Sequence, residues 1–260
     1  MIFTDAKQRF STRVADYLRY RPGYPFALLD LLRRECGLLP GSVIADIGSG
    51  TGLLSDLFLK NGNPVFGVEP NQEMRQAGEE FLREHRGFAS VNGSAEATSL
   101  AAASVDFVSA GQAFHWFDPQ AARREFARIL KPGGWVVIVW NDRRMEEAPL
   151  TRDYEGLLER FGIDYQRVKD AYPEGAEIRS FFGEAFLERD LPNHQILDWD
   201  GFRGRLRSSS FSPKQGHPDF APMMAELERI FLAHERRGRV RMEYFTRAFA
   251  GQLHAAGTEL

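Results

Sequence analysis

The chain has 260 residues, and 33 Lys and Arg against 36 Asp and Glu give a formal net charge of -3, which excludes binding nucleic acid through a general basic field. That length suits one large α/β domain with room for one insertion. The single cysteine, Cys36, cannot close an internal disulfide and fits a reducing cytoplasm; no apolar run approaches a membrane span, and the N-terminus turns polar at Thr4, unlike a signal peptide.

In chain order, Phe10 to Tyr20 reads as a helix, with Val14, Tyr17 and Leu18 at helical spacing. It stops at Arg21-Pro22-Gly23-Tyr24-Pro25, because proline bars continuation and fixes a rigid elbow carrying aromatic and cationic side chains. Phe26 to Cys36 predicts a helix, apolar at Leu28, Leu29, Leu31 and Leu32, with Gly37 as its C-cap. The run Ser42 to Ile47 reads as a strand buried on both faces. After it comes Gly48-Ser49-Gly50-Thr51-Gly52, then a helix over Leu53 to Asn61. Alternate glycines remove Cβ atoms, so the backbone turns sharply and a bulky ligand can lie against it. Asp46 stands just before the turn, where it would repel a phosphate and attract a cation. The dinucleotide fingerprint needs its third glycine at Leu53, so a nicotinamide oxidoreductase is disfavoured; a Walker loop lacks its Gly-Lys-Ser/Thr.

Pro64 to Val68 reads as the second strand, ending in Glu69-Pro70-Asn71, where a carboxylate can accept from both hydroxyls of a ribose. A charged helix over Gln72 to His85 leads to strand three and the loop Gly93-Ser94-Ala95-Glu96. Ser104 to Ala110 is strand four. Gly111-Gln112-Ala113-Phe114-His115-Trp116-Phe117 then falls at its carboxyl end, where doubly wound sheets bind ligands. His115 and its aromatic neighbours belong either to the core or to the site wall. Asp118-Pro119 opens the next helix, which ends at Leu130-Lys131-Pro132-Gly133-Gly134 before strand five, Trp135 to Trp140. The polar stretch 141–183 holds an amphipathic helix around Tyr154, Leu157, Leu158 and Phe161. Ala185 to Arg189 is strand six. A helix over Asp200 to Arg207 runs into Ser208-Ser209-Ser210, either a capping turn or a hydroxyl-rich pocket wall. Phe220 to His234 is helical, and the alternation over Arg239 to Phe249 predicts an antiparallel strand seven. The six histidines show no metal-ligand spacing, so no metal is expected.

Asp46-x-Gly48-x-Gly50-x-Gly52 resembles the first motif of the class I S-adenosylmethionine (SAM) dependent methyltransferases. Glu69, the segment after strand four and Leu-Lys-Pro-Gly-Gly match further motifs in order, from Tyr17 to Trp140. The elbow, with Tyr17 and Tyr20 before it, and Ala113-Phe114-His115-Trp116-Phe117 are similar to the trans-aconitate methyltransferase-like subset. The resemblance implies a Rossmann-like seven-stranded α/β sheet in order 3-2-1-4-5-7-6, helices on both faces, and lid and cap segments. One domain would cover 1–260, with 1–36 as lid and first helices and 141–217 as cap insertion and strand six region.

It also implies roles. Asp46, Gly48, Ser49, Gly50 and Gly52 would hold the methionine and ribose side of SAM, Glu69 and Pro70 the ribose, and Ser94, Ala95 and Glu96 the adenine. Ser94 stands where the family usually has Asp. Gln112, and Tyr17 and Arg21 in the lid, complete the cofactor set. Tyr24, His115, Trp116, Arg143 and Ser209 would line the acceptor site, with His115 as a candidate base. The expected reaction is methyl transfer from SAM, leaving S-adenosylhomocysteine, to a small molecule that bears a carboxylate. Carbon or nitrogen methylation of a larger acceptor, or SAM binding without turnover, are the alternatives. Neither nucleic acid nor membrane is an expected partner, and the cytoplasm is the expected location.

Overall fold

The computed structural model of the protein describes residues 18–146, 148–170 and 175–253. Seven strands form one sheet: β1 (Ile44–Ile47), β2 (Val65–Val68), β3 (Phe88–Val91), β4 (Val105–Gly111), β5 (Leu130–Arg143), β6 (Leu187–Leu197) and β7 (Val240–Gly251). Their order is β3-β2-β1-β4-β5-β7-β6, as expected. The first five are parallel, and β7 runs antiparallel between β5 and β6, pairing Ile138 with Phe249 on one side and Leu187 with Ala250 on the other.

Alternation along the central strands divides the core between the two faces. Val136, Ile138 and Trp140 of β5 join Ala45, Ile47 and Phe126 on one face, where Phe114, Phe117 and Phe181 pack edge to face. Val137 and Val139 join Ile44, Phe58 and Phe107 on the other, under the first helix, α1 (Ala27–Cys36). The crossover helices are α2 (Leu53–Lys60), α3 (Gln72–Leu82) and α4 (Pro119–Ile129). The last two start on side-chain caps: Asn71 Oδ1 accepts from Met74 N at 3.0 Å, and Asp118 Oδ1 accepts from Gln120 N and Ala121 N at 3.0 Å each, with Pro119 at the first helical position. Gly37 ends α1 in the left-handed conformation that its C-cap role requires.

Beyond β5 the structure departs from expectation. Strand six extends to Leu197 and pairs with β7 along its whole length; Pro192 sits within this edge strand, where a missing N–H costs no ladder bond. The cap holds α5 (Pro149–Phe161), α6 (Tyr165–Asp170), α7 (Gly175–Phe182), α8 (Trp199–Arg207) and α9 (Phe220–His234). A third apolar cluster, including Tyr154, Leu158, Phe202, Leu227 and Tyr244, binds α5, α8 and α9 to the far ends of β6 and β7. The cap core therefore continues past residue 217 into α9, beyond the 141–217 read from sequence. Among the described residues no helix is long and apolar enough to cross a membrane.

Candidate active site

The chain passes outward from β1 to β2 and β3 on one side and to β4 and β5 on the other, so a crevice opens at the carboxyl ends of β1 and β4. The glycine turn fills its floor. Gly48, Gly50 and Gly52 have φ of +66°, +56° and +87°, and a Cβ on Gly48 would lie 2.6 Å from that of Ala113. Gly48→Ala is therefore expected to cost about 1–2 kcal/mol in backbone conformation alone, before the clash is relieved. Urea denaturation measures that cost, and a stability equal to that of wild type contradicts the turn as described.

Asp46 is 1 % exposed, and its carboxylate accepts from Ser55 Oγ at 2.6 Å and Ser109 Oγ at 2.9 Å. Burial still pushes its pKa up to about 6, against these two hydrogen bonds. Glu69, 8 % exposed at the end of β2, accepts from Gly50 N at 3.0 Å and Asn71 N at 2.8 Å, and so ties the turn to the second strand. Gln112 adopts φ +57° just after β4, a conformation that non-glycine residues hold only where the surroundings enforce it.

A cleft of about 300 Å³ runs from this turn into the cap. Of the predicted residues, Arg21, Tyr24, Asp46, Gly48, Ser49, Gly50, Gln112 and Arg143 line it. The elbow covers it: Gly23 O accepts from Asn193 Nδ2 at 2.9 Å, Tyr20 O from Gln195 Nε2 at 3.1 Å, and Arg21 Nη2 donates to Ser208 O at 3.1 Å. The Tyr20 ring lies against Gly204 of α8, where a Cβ would come within 2.3 Å of it. The elbow is therefore docked on β6 and α8 and is not a free surface turn.

Several predicted residues stand elsewhere. Tyr17 lies outside the described residues. His115 and Trp116 sit in a 3₁₀ turn, Phe114–Trp116, with ring centroids 4.7 Å apart and planes tilted by 45°, and neither is among the residues that line the cleft. Phe114 of that turn is buried in the core. Burial drives the His115 pKa down to about 4, leaving the ring neutral and weakly basic. Ser209 does not line the cleft either. Ser208 and Ser212 donate back to carbonyls of α8, those of Arg205 and Leu206, at 2.7 and 2.6 Å, so the serine run is a capping turn; Ser209 Oγ accepts from Arg205 Nη1 at 3.2 Å. Ser94 bonds Ala97 across a tight turn, and Glu96 accepts from Asp118 N at 3.0 Å.

Sequence reading missed Asn141, Glu155, Tyr165, Lys169 and Arg205, which line the cap end. Tyr165 and Lys169 stand four apart on one helix, but nothing local marked the cavity they face. Arg143 Nε donates to Glu155 Oε2 at 2.8 Å, Lys169 Nζ reaches Oε1 at 3.0 Å, and the Tyr165 hydroxyl bonds both Glu155 and Arg143.

The comparisons with known proteins agree with this geometry. Residues 45–138 match a family described as a methyltransferase domain. An uncharacterized methyltransferase of Mycobacterium tuberculosis is 37 % identical over 172 residues, 65 % of this chain and 66 % of that one, so the aligned part is just under two thirds of its length. A methyltransferase-like protein of Schizosaccharomyces pombe, also uncharacterized, is 28 % identical over 257 residues, 95 % of this chain and 96 % of that one. Among solved structures, a protein of Anaeromyxobacter dehalogenans provisionally assigned as a type II methyltransferase superposes with a TM-score of 0.68 at 26 % identity, covering 90 % of this chain and 100 % of that one. A phosphoethanolamine N-methyltransferase of Haemonchus contortus, solved with SAM, shares the fold at a TM-score of 0.56 and 16 % identity, over 97 % of this chain and 59 % of that one.

A mixed sheet with a glycine turn and two buried acids, Asp46 and Glu69, at its switch point is an architecture of the Rossmann-like type. Residues 45–138 match the methyltransferase domain, and the chain is similar to uncharacterized methyltransferases over the aligned lengths given above.

Proposed function

We propose that the protein transfers the methyl group of SAM to a small-molecule acceptor carrying a carboxylate, seated in the cleft between the elbow and the cap. The observation that carries this reading is one continuous cleft with Asp46 and the glycine turn at one end and Arg21, Arg143, Lys169 and Arg205 at the other. SAM, when bound, supplies an electrophilic methyl on a sulfonium. The chain's part is to bind, orient and exclude water. The bare backbone at Gly48 and the buried acids Asp46 and Glu69 fit a cationic nucleoside, Asp46 on the methionine side and Glu69 on the ribose. Ser94, Ala95 and Glu96 remain our candidates for the adenine.

Arg21 and Tyr24 in the elbow and Arg143 in β5 face the acceptor in this reading. A carboxylate acceptor is already ionised at neutral pH and needs no base, which suits a cleft that His115 does not line. The elbow and cap enclose the cleft, which favours a small acceptor over a macromolecular one. A single buried thiol, that of Cys36, pushed up to about 12 by burial and by Glu35 beside it, supports a cytoplasmic setting.

The test is incubation of the purified chain with methyl-labelled SAM and a panel of mono-, di- and tricarboxylates, their amides, amines and phenols, read by mass spectrometry. S-adenosylhomocysteine together with a labelled ester is the expected outcome. Bound SAM that gives no S-adenosylhomocysteine with any acceptor would leave a binding protein without turnover.

The Asp46 shift adds a pH prediction. A carboxylate raised toward 6 in the fold carries stability that is greatest at low pH and is lost as pH rises through about 6. Cofactor binding has the opposite sign, because a cationic ligand favours the ionised acid. SAM affinity should fall by up to about tenfold per pH unit below 6 and flatten above it. Calorimetry between pH 5 and 8 checks this, with Asp46→Asn weak and flat across the range; a wild-type affinity independent of pH would remove Asp46 from the cofactor site.

A further inference from the structure

At the cap end of the cleft, Arg205 is 3 % exposed, and its contacts are unusual for a buried guanidinium. Nε donates to the Tyr244 hydroxyl at 3.3 Å and Nη1 to Ser209 Oγ at 3.2 Å; among the described residues Nη2 has no acceptor and no carboxylate pairs with the group. Burying a charge with only neutral partners costs several kcal/mol, so buried arginines are ordinarily paired with an acid. The acids nearby are committed. Glu155 is held by Arg143 and Lys169, and Asp142 lies 3.5 Å from Arg247. Of the charged residues that line the cleft, Arg21, Arg143, Lys169 and Arg205 stand against Asp46, Asp142 and Glu155, an excess of one positive charge.

A second feature lies behind the same wall, where the Tyr154 ring packs 5.9 Å from the Arg143 guanidinium without itself lining the cleft. The Tyr154 hydroxyl is fully buried with no hydrogen-bond partner among the described residues, and it lies in the field of Arg205, Arg143 and Arg21. A buried hydroxyl left without a partner costs about 1–3 kcal/mol. An uncompensated cation and an unsatisfied hydroxyl together are what a bound anion would resolve.

We infer that Arg205 and Tyr154 form the anion-binding subsite of the acceptor pocket, and that the anion is a carboxylate of the molecule to be methylated. A planar guanidinium with an unpaired Nη2 group matches the in-plane oxygens of a carboxylate. A phosphate would call for more donors than these. The inference rests on the acceptor reading above and names the residues that recognise the acceptor; neither touches the glycine turn.

The experiment is calorimetric titration of succinate, citrate, succinamide and inorganic phosphate into the full chain, with and without saturating S-adenosylhomocysteine. Wild type should bind at least one of the two carboxylates and neither succinamide nor phosphate. Arg205→Gln should weaken that binding ten- to a hundredfold while S-adenosylhomocysteine affinity stays within twofold, and Arg205→Lys should recover part of it. Should Arg205→Gln fold poorly, Tyr154→Phe serves. It deletes an unpartnered hydroxyl, so its melting temperature should match or exceed that of wild type while carboxylate affinity falls several-fold. Unchanged carboxylate binding in Arg205→Gln and Tyr154→Phe overturns the inference, as does a wild type that binds phosphate instead or none of the probes. Arg205-dependent carboxylate binding in a protein that ignores S-adenosylhomocysteine would keep the subsite and sink the methyl-transfer reading.

Discussion

Replacing Glu155 with alanine should destabilise the protein by about 3–5 kcal/mol, the usual cost of removing one partner from a buried ion pair. Glu155 is 6 % exposed and is the acid on which the cap converges: Arg143 from β5 and Lys169 and Tyr165 from α6 all bond its carboxylate. Without it Arg143 keeps its place over the Tyr154 and Tyr165 rings, both 5.9 Å away, with no compensating acid. Burial alone would raise the Glu155 pKa, but Arg143 and the hydrogen bonds from Tyr165 and Lys169 hold it below the usual range. Its contribution is therefore present at neutral pH and is lost as pH falls below the ordinary glutamate value. For a chain of this size the loss corresponds to a drop in Tm of roughly 6–20 °C. Thermal denaturation of Glu155→Ala beside wild type checks it. A drop under about 2 °C, less than 1 kcal/mol on the same scale, would mean that the cap is held by its apolar cluster alone.

Glu69→Ala should weaken SAM binding by about 1–3 kcal/mol, roughly five- to 150-fold. Its carboxylate holds Gly50 N and Asn71 N, so the substitution strands two backbone donors as well as removing the ribose acceptors. Glu69→Gln keeps one carbonyl oxygen and should fall between the two. A variant in which stability drops while the affinity of the folded fraction is unchanged would make Glu69 a strut for the glycine turn and nothing more.

Most of the sheet was legible because its strands, β6 excepted, carry a local mark. Apolar runs ending in Asp46 and Glu69, an N-cap and proline at Asp118-Pro119, and polar-apolar alternation over β7 follow directly from buried parallel and half-buried antiparallel pairing. The cofactor end of the site was legible for the same reason: a turn that needs φ above zero at Gly48, Gly50 and Gly52 must be written in glycine. The cap end of the cleft was legible only in Arg21, Tyr24 and Arg143. Glu155, Tyr165 and Arg205 come from three different helices and meet through tertiary packing, which leaves no spacing to read. β6 was underestimated because an edge strand with Pro192, Asn193 and His194 in it has one solvated side and little apolar content. The aromatic run around His115 places Phe114 and Phe117 in the core. The same letters spell a site wall or a core turn.

The most direct test of the account is calorimetric titration of SAM into the full-length protein, with NADH titrated separately. One SAM bound per chain with micromolar affinity, weakened in Glu69→Ala, and no heat from NADH is the predicted result. NADH bound in place of SAM would contradict the reading of the glycine turn and everything built on it.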